Sequence, residues 1–387
     1  MLTTIALIVL LVIFLLWADL AVGKRVWRRQ KLFQSTRFPL RHGDVSFYDQ
    51  GVPFFKDYFR AIEQAYDHIH INFYIFRNDT IGKQLCARLR KKAREGVKVR
   101  VLVDWMGSHF FSKKERKDLE RAGVSFAVSN RPRPPFWFFT MNRRNHRKIT
   151  VVDGKIGFLG GFNVGDEYLG KKPELGNWRD YHIKIENDGV QDLQQQFLVD
   201  WKTATGEQIE GSRYYPELAK GMTPLQLFSS NGTSLEDFFC DLFNRAEQSI
   251  VIGTPYYIPG PRIQQALLSA RKRGVAVTLL LPMKKDHPLV HEAAVPYFAP
   301  LIKAGCDIYM YYQGFYHAKV MIIDGTLCDV GTANLDRRSL VLNNEINCFM
   351  HDPAIIARVR AALTRDIRQS ERLTLRRLRR RPLVQRL

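Results

Sequence analysis

Residues 146–163 read HRKITVVDGKIGFLGGFN, and residues 317–334 read HAKVMIIDGTLCDVGTAN. Both fit H-x-K-x4-D-x6-G-x2-N, and all five fixed positions recur at one constant offset: His146 with His317, Lys148 with Lys319, Asp153 with Asp324, Gly160 with Gly331, and Asn163 with Asn334. Each residue type is used at the level of a few per cent, so one chance match is improbable and a second in the same chain far more so. Alternate residues of a strand share a face, which points His146 and Lys148 one way and sets His317 and Lys319 likewise. Asp153 and Asp324 stand at an odd separation from their histidines and so face away in an unbulged strand. The glycine after each aspartate predicts a D-G hairpin turn returning the chain as a second strand. Gly160 and Gly331 permit close backbone approach, and Asn163 and Asn334 follow with amides that reach back. Each copy therefore offers one imidazole, one ammonium and one amide from a two-stranded platform. Two such sets facing one another surround a phosphate.

The duplication extends outward from these motifs. IHINFYIF (Ile69–Phe76) has a counterpart in IVIGTPYYI (Ile250–Ile258), REGVKVRVLVD (Arg94–Asp104) in KRGVAVTLLLP (Lys272–Pro282), and LERAGVSFAV (Leu119–Val128) in LIKAGCDIYM (Leu301–Met310). Strand-like and helix-like stretches alternate twice, the pattern of α/β domains, and self-similarity over half the chain marks a duplicated domain instead of a short solenoid repeat. The 387 residues suffice for two domains with sizeable cores. Gly206, Gly211, Pro216 and Gly221 interrupt any periodicity between Thr203 and Thr223, which places the boundary there. The expected division is a membrane anchor at 1–23, a basic linker at 24–44, a first domain at 45–205, a second at 206–352 and a basic amphipathic tail at 353–387.

IALIVLLVIFLLW (Ile5–Trp17) contains no polar residue, and with its flanks it approaches the roughly 20 apolar residues that span a bilayer. A cleaved signal peptide needs positive charge before its apolar core and a small-x-small site after it, whereas here Lys24, Arg25, Arg28, Arg29 and Lys31 follow. The positive-inside rule then puts the remaining chain in the cytoplasm. With 59 Lys and Arg against 38 Asp and Glu, the net charge of +21 calls for an anionic partner: nucleic acid, an acidic membrane surface or a phosphate-bearing substrate. Five scattered cysteines without a C-x-x-C pair argue against a disulfide framework and a zinc site, leaving buried thiols.

The chain resembles the phospholipase D superfamily and, within it, the bacterial cardiolipin synthases. Besides the two motifs, the resemblance covers YIFRND (Tyr74–Asp79), GGFNVGDEY (Gly160–Tyr168), WRDYHIKIE (Trp178–Glu186), TPYYIP (Thr254–Pro259) and LNNEIN (Leu342–Asn347). It departs in having one N-terminal hydrophobic segment where such proteins often have two. The resemblance implies an α/β fold of two similar phospholipase D-like domains, each a mixed sheet flanked by helices, related by a pseudo-twofold axis with one active site between them, plus an N-terminal transmembrane helix. It implies a catalytic set of His146, Lys148, Asp153, His317, Lys319 and Asp324 acting without metal or other cofactor. One histidine forms a phosphohistidine while the other serves as acid and base, His146 being the nucleophile by the family's usual order. Lys148, Lys319, Asn163 and Asn334 hold the phosphoryl oxygens, and Asp180 and Glu345 orient the imidazoles.

The implied reaction transfers a phosphatidyl group between two molecules of phosphatidylglycerol at an anionic membrane, with glycerol released and no nucleic acid partner. Hydrolytic phospholipase D, a membrane-tethered phosphodiester nuclease and a non-enzymatic lipid-binding scaffold are the alternatives. NRPRPPFWFFTMNRRN (Asn130–Asn145) suits either a lipid-access lip or single-stranded nucleic acid, and the membrane anchor favours the lip. The arginine-rich end of the chain is either a solvated tail or a contact with anionic lipid.

Overall fold

The computed structural model describes residues 2–29, 35–286 and 288–379. Two antiparallel strands, Thr36–Tyr48 and Thr223–Asn231, pair at its centre, and the rest of a mixed 15-stranded sheet is built outward from them. On one side follow His182–Asn187, Ile156–Gly160, Ile149–Val152, His68–Phe73, Lys98–Asp104 and Ser125–Ser129. On the other come Asn344–Met350, Leu327–Gly331, Val320–Ile323, Ser249–Gly253, Ala276–Pro282 and Asp307–Tyr311, with Ser370–Arg372 added at the edge. The two series match strand for strand, and in each the outer three strands are parallel and the inner ones antiparallel. The expected α/β fold of two similar halves, each with a mixed sheet and flanking helices, is present.

Helices form where apolar spacing and caps coincide. Gly51–Gln64 buries Phe54, Phe55, Tyr58, Phe59 and Ile62 on one face. Asp79 caps Thr80–Arg94 through the Gly82 amide, and Asp352 caps Pro353–Arg368 through that of Ile355, with Pro353 in the first turn where its missing N–H costs nothing. Each half has an outer core against its own helices. A third core is shared: Leu102, Ile149, Ile183 and Phe197 of the first half pack in one cluster with Leu280, Val320, Ile346 and Val359 of the second.

Two expected segments are revised. Residues 36–44 of the expected linker belong to the central strand Thr36–Tyr48, where Arg41 is paired with Asp188 and Asp192. Residues 30–34 lie outside the described residues. The expected tail begins as a helix, but Pro353–Arg368 turns Ile355, Ile356, Val359 and Leu363 into the shared core, and Ser370–Arg372 joins the sheet. Its end, residues 380–387, lies outside the described residues. All five cysteines are buried free thiols.

Leu2–Arg28 is one helix, and its stretch Thr3–Trp27 is long and apolar enough to cross a membrane, with none of its most apolar window buried in protein. Its C-terminal end docks on the short helix Trp137–Asn142: Asp19 Oδ1 accepts the Phe139 amide at 2.7 Å, and the Trp27 and Phe139 rings are 5.8 Å apart.

A buried clamp joins the halves. Arg179 Nε donates to both oxygens of Asp366 at 2.7 and 2.9 Å, its Nη2 donates to Asp49 at 2.9 Å, and Tyr181 Oη donates to Asp366 at 2.7 Å. Removing one partner of a buried, hydrogen-bonded charge pair strands the other. Asp366→Ala is expected to cost about 3 kcal/mol of stability, read by urea unfolding in detergent; a loss below about 1 kcal/mol, the level of a surface ion pair, would contradict the clamp.

Candidate active site

The two strand pairs that carry the motifs turn as their sequence requires. Asp153 and Gly154 both have positive φ, 52° and 65°, and Asp324 and Gly325 repeat this at 51° and 66°. Each aspartate is held there by its own carboxylate, which accepts backbone N–H groups: Tyr66, Asp67 and His68 for Asp153, and Glu247, Gln248 and Ser249 for Asp324. Asp153 and Asp324, counted with the catalytic set by resemblance, stand at the turns, with their carboxylates bonded to backbone N–H groups. They sit just past the ends of Ile149–Val152 and Val320–Ile323, at the far end of the strand from the histidines, and anchor the hairpin to the neighbouring strand.

His146, Lys148, His317, Lys319, Asn163, Asn334, Asp180 and Glu345 are buried together about one cleft. His146, His317, Asn163 and Asn334 line a cavity of about 730 Å³. The orienting carboxylates are crossed between the halves. His146 Nδ1 lies 2.9 and 3.1 Å from the oxygens of Glu345, and His317 Nδ1 lies 2.6 Å from Asp180 Oδ2. The backbone repeats the exchange: the His146 N–H donates to the Asn344 carbonyl at 2.9 Å and the His317 N–H to that of Arg179 at 2.7 Å. Each histidine is thus fixed in main chain and ring by two consecutive residues of the other half. With Nδ1 donating to a carboxylate, Nε2 is left with a lone pair.

Lys148 Nζ donates to the His146 carbonyl at 2.7 Å, and Lys319 Nζ donates to the His317 carbonyl. Lys319 Nζ also lies 2.6 Å from His317 Nδ1 and 3.9 Å from Asp180. One ring nitrogen cannot donate to Asp180 and accept from Lys319 at once; the ionised carboxylate takes the proton side, and the ammonium rests beside the ring. Asn163 accepts from the Ile75 amide and donates to Tyr168 Oη, while Asn334 donates to Asp336.

Burial sets the protonation. It lowers both His146 and His317 to about 4, Glu345 opposing and Lys148 adding to the effect on His146, and Lys319 adding to it on His317 while Asp180 opposes. Lys319 falls to about 8 and Lys148 well below its usual range, again chiefly through burial. Burial alone would raise Asp180 and Glu345, but Lys319 and His317 hold Asp180 low and His146 and Lys148 hold Glu345 low. Among the described residues, no group of three or more His, Cys, Asp or Glu side chains is arranged to hold a metal ion.

Several supporting residues were not singled out from sequence. Arg147, between the motif histidine and lysine, faces the opposite side and donates to Asp200, Ser229 and the Glu345 carbonyl, tying the second half to the first motif. Tyr74 and Trp178 pack their rings 4.9 and 4.8 Å from His146 and His317. Gly161 and Thr332 occupy equivalent places with different solutions. A Cβ at Gly161 would lie 1.8 Å from Asp180 Oδ1, whereas the Thr332 hydroxyl donates to Glu345 at 2.7 Å. The G-G of the first motif carried a signal for Gly161; the crossed partnership carried none.

Duplicated halves meeting at a paired histidine–lysine–asparagine site define the phospholipase D superfamily. Within it, residues 58–201 and 239–367 match the family described as "Cardiolipin synthase, PLD-like domain", and the chain belongs to that family. It is 43% identical over 373 residues to the minor cardiolipin synthase ClsB of Bacillus subtilis strain 168, spanning 96% of this chain and 93% of that protein. It is 40% identical to a cardiolipin synthase of Oceanobacillus iheyensis, spanning 86% of this chain and 71% of the relative. The fold also resembles phosphatidylserine synthase of Haemophilus influenzae, with a TM-score of 0.69 at 15% identity over 87% of this chain and 89% of that one.

Two outcomes follow from this geometry. Gly161→Ala is expected to displace Asp180 and lower kcat on the order of 10²-fold while the protein stays folded; wild-type turnover would show that Asp180 does not position His317. The free imidazoles should titrate near 4 by NMR. Because unfolded histidines bind protons below about 6.5 and these do not, stability is fully present above that pH and declines as pH falls toward 4. Imidazole resonances titrating near 6.5 in the folded protein would contradict the burial account.

Proposed function

We propose that the chain joins two phosphatidylglycerol molecules into cardiolipin and glycerol by double displacement at phosphorus. His146 Nε2 attacks the donor phosphorus, the bond to the glycerol oxygen breaks, and His317 Nε2 delivers a proton to that oxygen. The second lipid's headgroup hydroxyl then gives its proton to His317 and attacks phosphorus, and the bond to His146 breaks. The crossed histidine–carboxylate pairs carry this reading, since they present two oriented imidazoles to one cavity. The assignment of His317 as acid and base is supported by its shorter contact with Asp180, suited to the ring that carries positive charge before transfer.

Lys148, Lys319, Asn163 and Asn334 are proposed to bind the phosphoryl oxygens, stabilising charge as it moves from phosphorus to the leaving oxygen. Both imidazoles are neutral in the resting site, so His317 must take up a proton from solvent as the anionic substrate binds. A phosphodiester anion placed beside Lys148 and Lys319 supplies the opposing charge that raises the imidazole. The cavity has further cations in Arg77 and Lys172, which share Glu167, in Arg337, which is paired with Glu236, and in Arg338; these are proposed to receive the unreacting phosphate of an acceptor lipid beside apolar walls in Met106, Met141, Leu175 and Val290. A hydrolase has no second phosphate to hold.

The exposed anchor helix and the basic residues after it support a membrane-bound enzyme with its catalytic halves on the cytoplasmic side. Trp137, more than half exposed beside the docked anchor, is placed as part of a lipid-access lip.

Mixed micelles of phosphatidylglycerol should yield cardiolipin and glycerol in equal amounts, and His146→Ala or His317→Ala should lower the rate by at least about 10³-fold. Phosphatidic acid as the product would make the chain a hydrolase, and retained turnover in both single variants would remove the two-histidine mechanism.

A further inference from the structure

A second cavity, of about 260 Å³, lies outside the catalytic one where the anchor meets the first half. Trp27 forms one wall, Arg131, Arg133 and Arg143 contribute guanidinium groups, and Asn130 and Thr203 add polar groups. Arg133 and Arg143 both approach the Trp27 ring, with Cζ 4.9 and 4.7 Å from its centroid. The loop carrying these arginines is built, not slack. Thr140 Oγ1 accepts the Arg133 amide at 3.0 Å and donates to the Phe136 carbonyl at 2.7 Å, and Asn130 Nδ2 donates to the Arg143 carbonyl at 3.2 Å.

Asp200, the one carboxylate on the cavity wall, is already engaged by Arg147, Asn145, Asn72 and Gln196. Burial and the neighbouring Arg147, Arg133 and Arg144 charges pull Arg143 down to about 9, with Asp200 only partly opposing. An excess of positive charge is thus gathered around a space that a phosphate fits. Trp27 closes the apolar stretch Thr3–Trp27, so this space lies at headgroup depth when the helix spans a bilayer. Its volume admits a headgroup but not acyl chains, which are left to run along the exposed anchor.

We propose that this cavity binds the phosphate of an anionic phospholipid headgroup at a site separate from the catalytic cavity. The site is joined to the catalytic one by a short path. Arg143 Nη2 donates to Asn344 Oδ1 at 2.6 Å, the Asn344 carbonyl receives the His146 N–H, and the next residue is Glu345. The inference goes beyond the proposed reaction and does not need turnover, so it is tested on the full-length His146→Ala variant.

Native mass spectrometry from detergent, with dioleoyl-phosphatidylglycerol titrated against dioleoyl-phosphatidylcholine, reads how many anionic lipids are retained and how tightly. In the His146→Ala background, Arg131→Gln/Arg133→Gln should weaken one of the retention events by roughly tenfold and leave catalytic-cavity binding in place. Thr203→Glu, which adds a carboxylate to the lining of the same cavity, should weaken the same event without replacing either arginine. Unchanged retention in the arginine double variant overturns the proposal, whatever Thr203→Glu does. Displacement of the lipid by millimolar inorganic phosphate or glycerol 3-phosphate would assign the cavity to a soluble phosphate and overturn the lipid commitment.

Discussion

Each catalytic-motif histidine takes its carboxylate partner from the other half of the chain. His146 leans on Asn344 and Glu345, and His317 on Arg179 and Asp180, so the site exists only when the duplicated halves are seated on each other. Much of the remaining structure serves that seating. The central pair of strands joins the halves edge to edge, the shared core fills the space between them, and the Arg147 and Arg179 clamps hold the residues next to both carboxylates. A shift of about 1 Å at this junction would misalign both imidazoles at once, with a cost in rate that no local change within one half would produce.

The same burial that fixes the imidazoles sets their charge. Two histidines lowered to about 4, two lysines lowered from their ordinary value by burial, and two carboxylates held low by the neighbouring cations make a buried site that an anion suits. In the proposed reaction an anionic phosphodiester is then more than a reactant: its charge favours the protonated ring that the leaving group needs. Burial of the lysines also makes their attraction for phosphoryl oxygens stronger than it would be in water.

Local features of the fold were legible in the sequence. The period-two pattern put His146 with Lys148, and D-G predicted the hairpin that both positive-φ pairs form. Relations across the molecule were not. Asp180 and Glu345 were identified through resemblance, but which histidine each serves depends on how the halves face, a fact absent from either local pattern. The buried partners of Arg41 and Asp366, Asp192 and Arg179, lie far away in sequence, so the strand and helix that replace part of the expected linker and tail had no local signal. Asp153 and Asp324, included in the catalytic set through resemblance, have carboxylates bonded to the backbone at the turns, a detail that the motif's spacing does not carry.

Covalent transfer through one of two crossed histidines is tested most directly by trapping the intermediate. Phosphatidylglycerol labelled in its donor phosphatidyl group is mixed with the wild-type enzyme and with His317→Asn, quenched in alkali after milliseconds to seconds, and the labelled peptide is mapped. The expected result is label on the peptide containing His146, accumulating further when His317 is replaced and lost in His146→Ala. Cardiolipin formed at full rate with no label on either histidine would contradict the covalent mechanism.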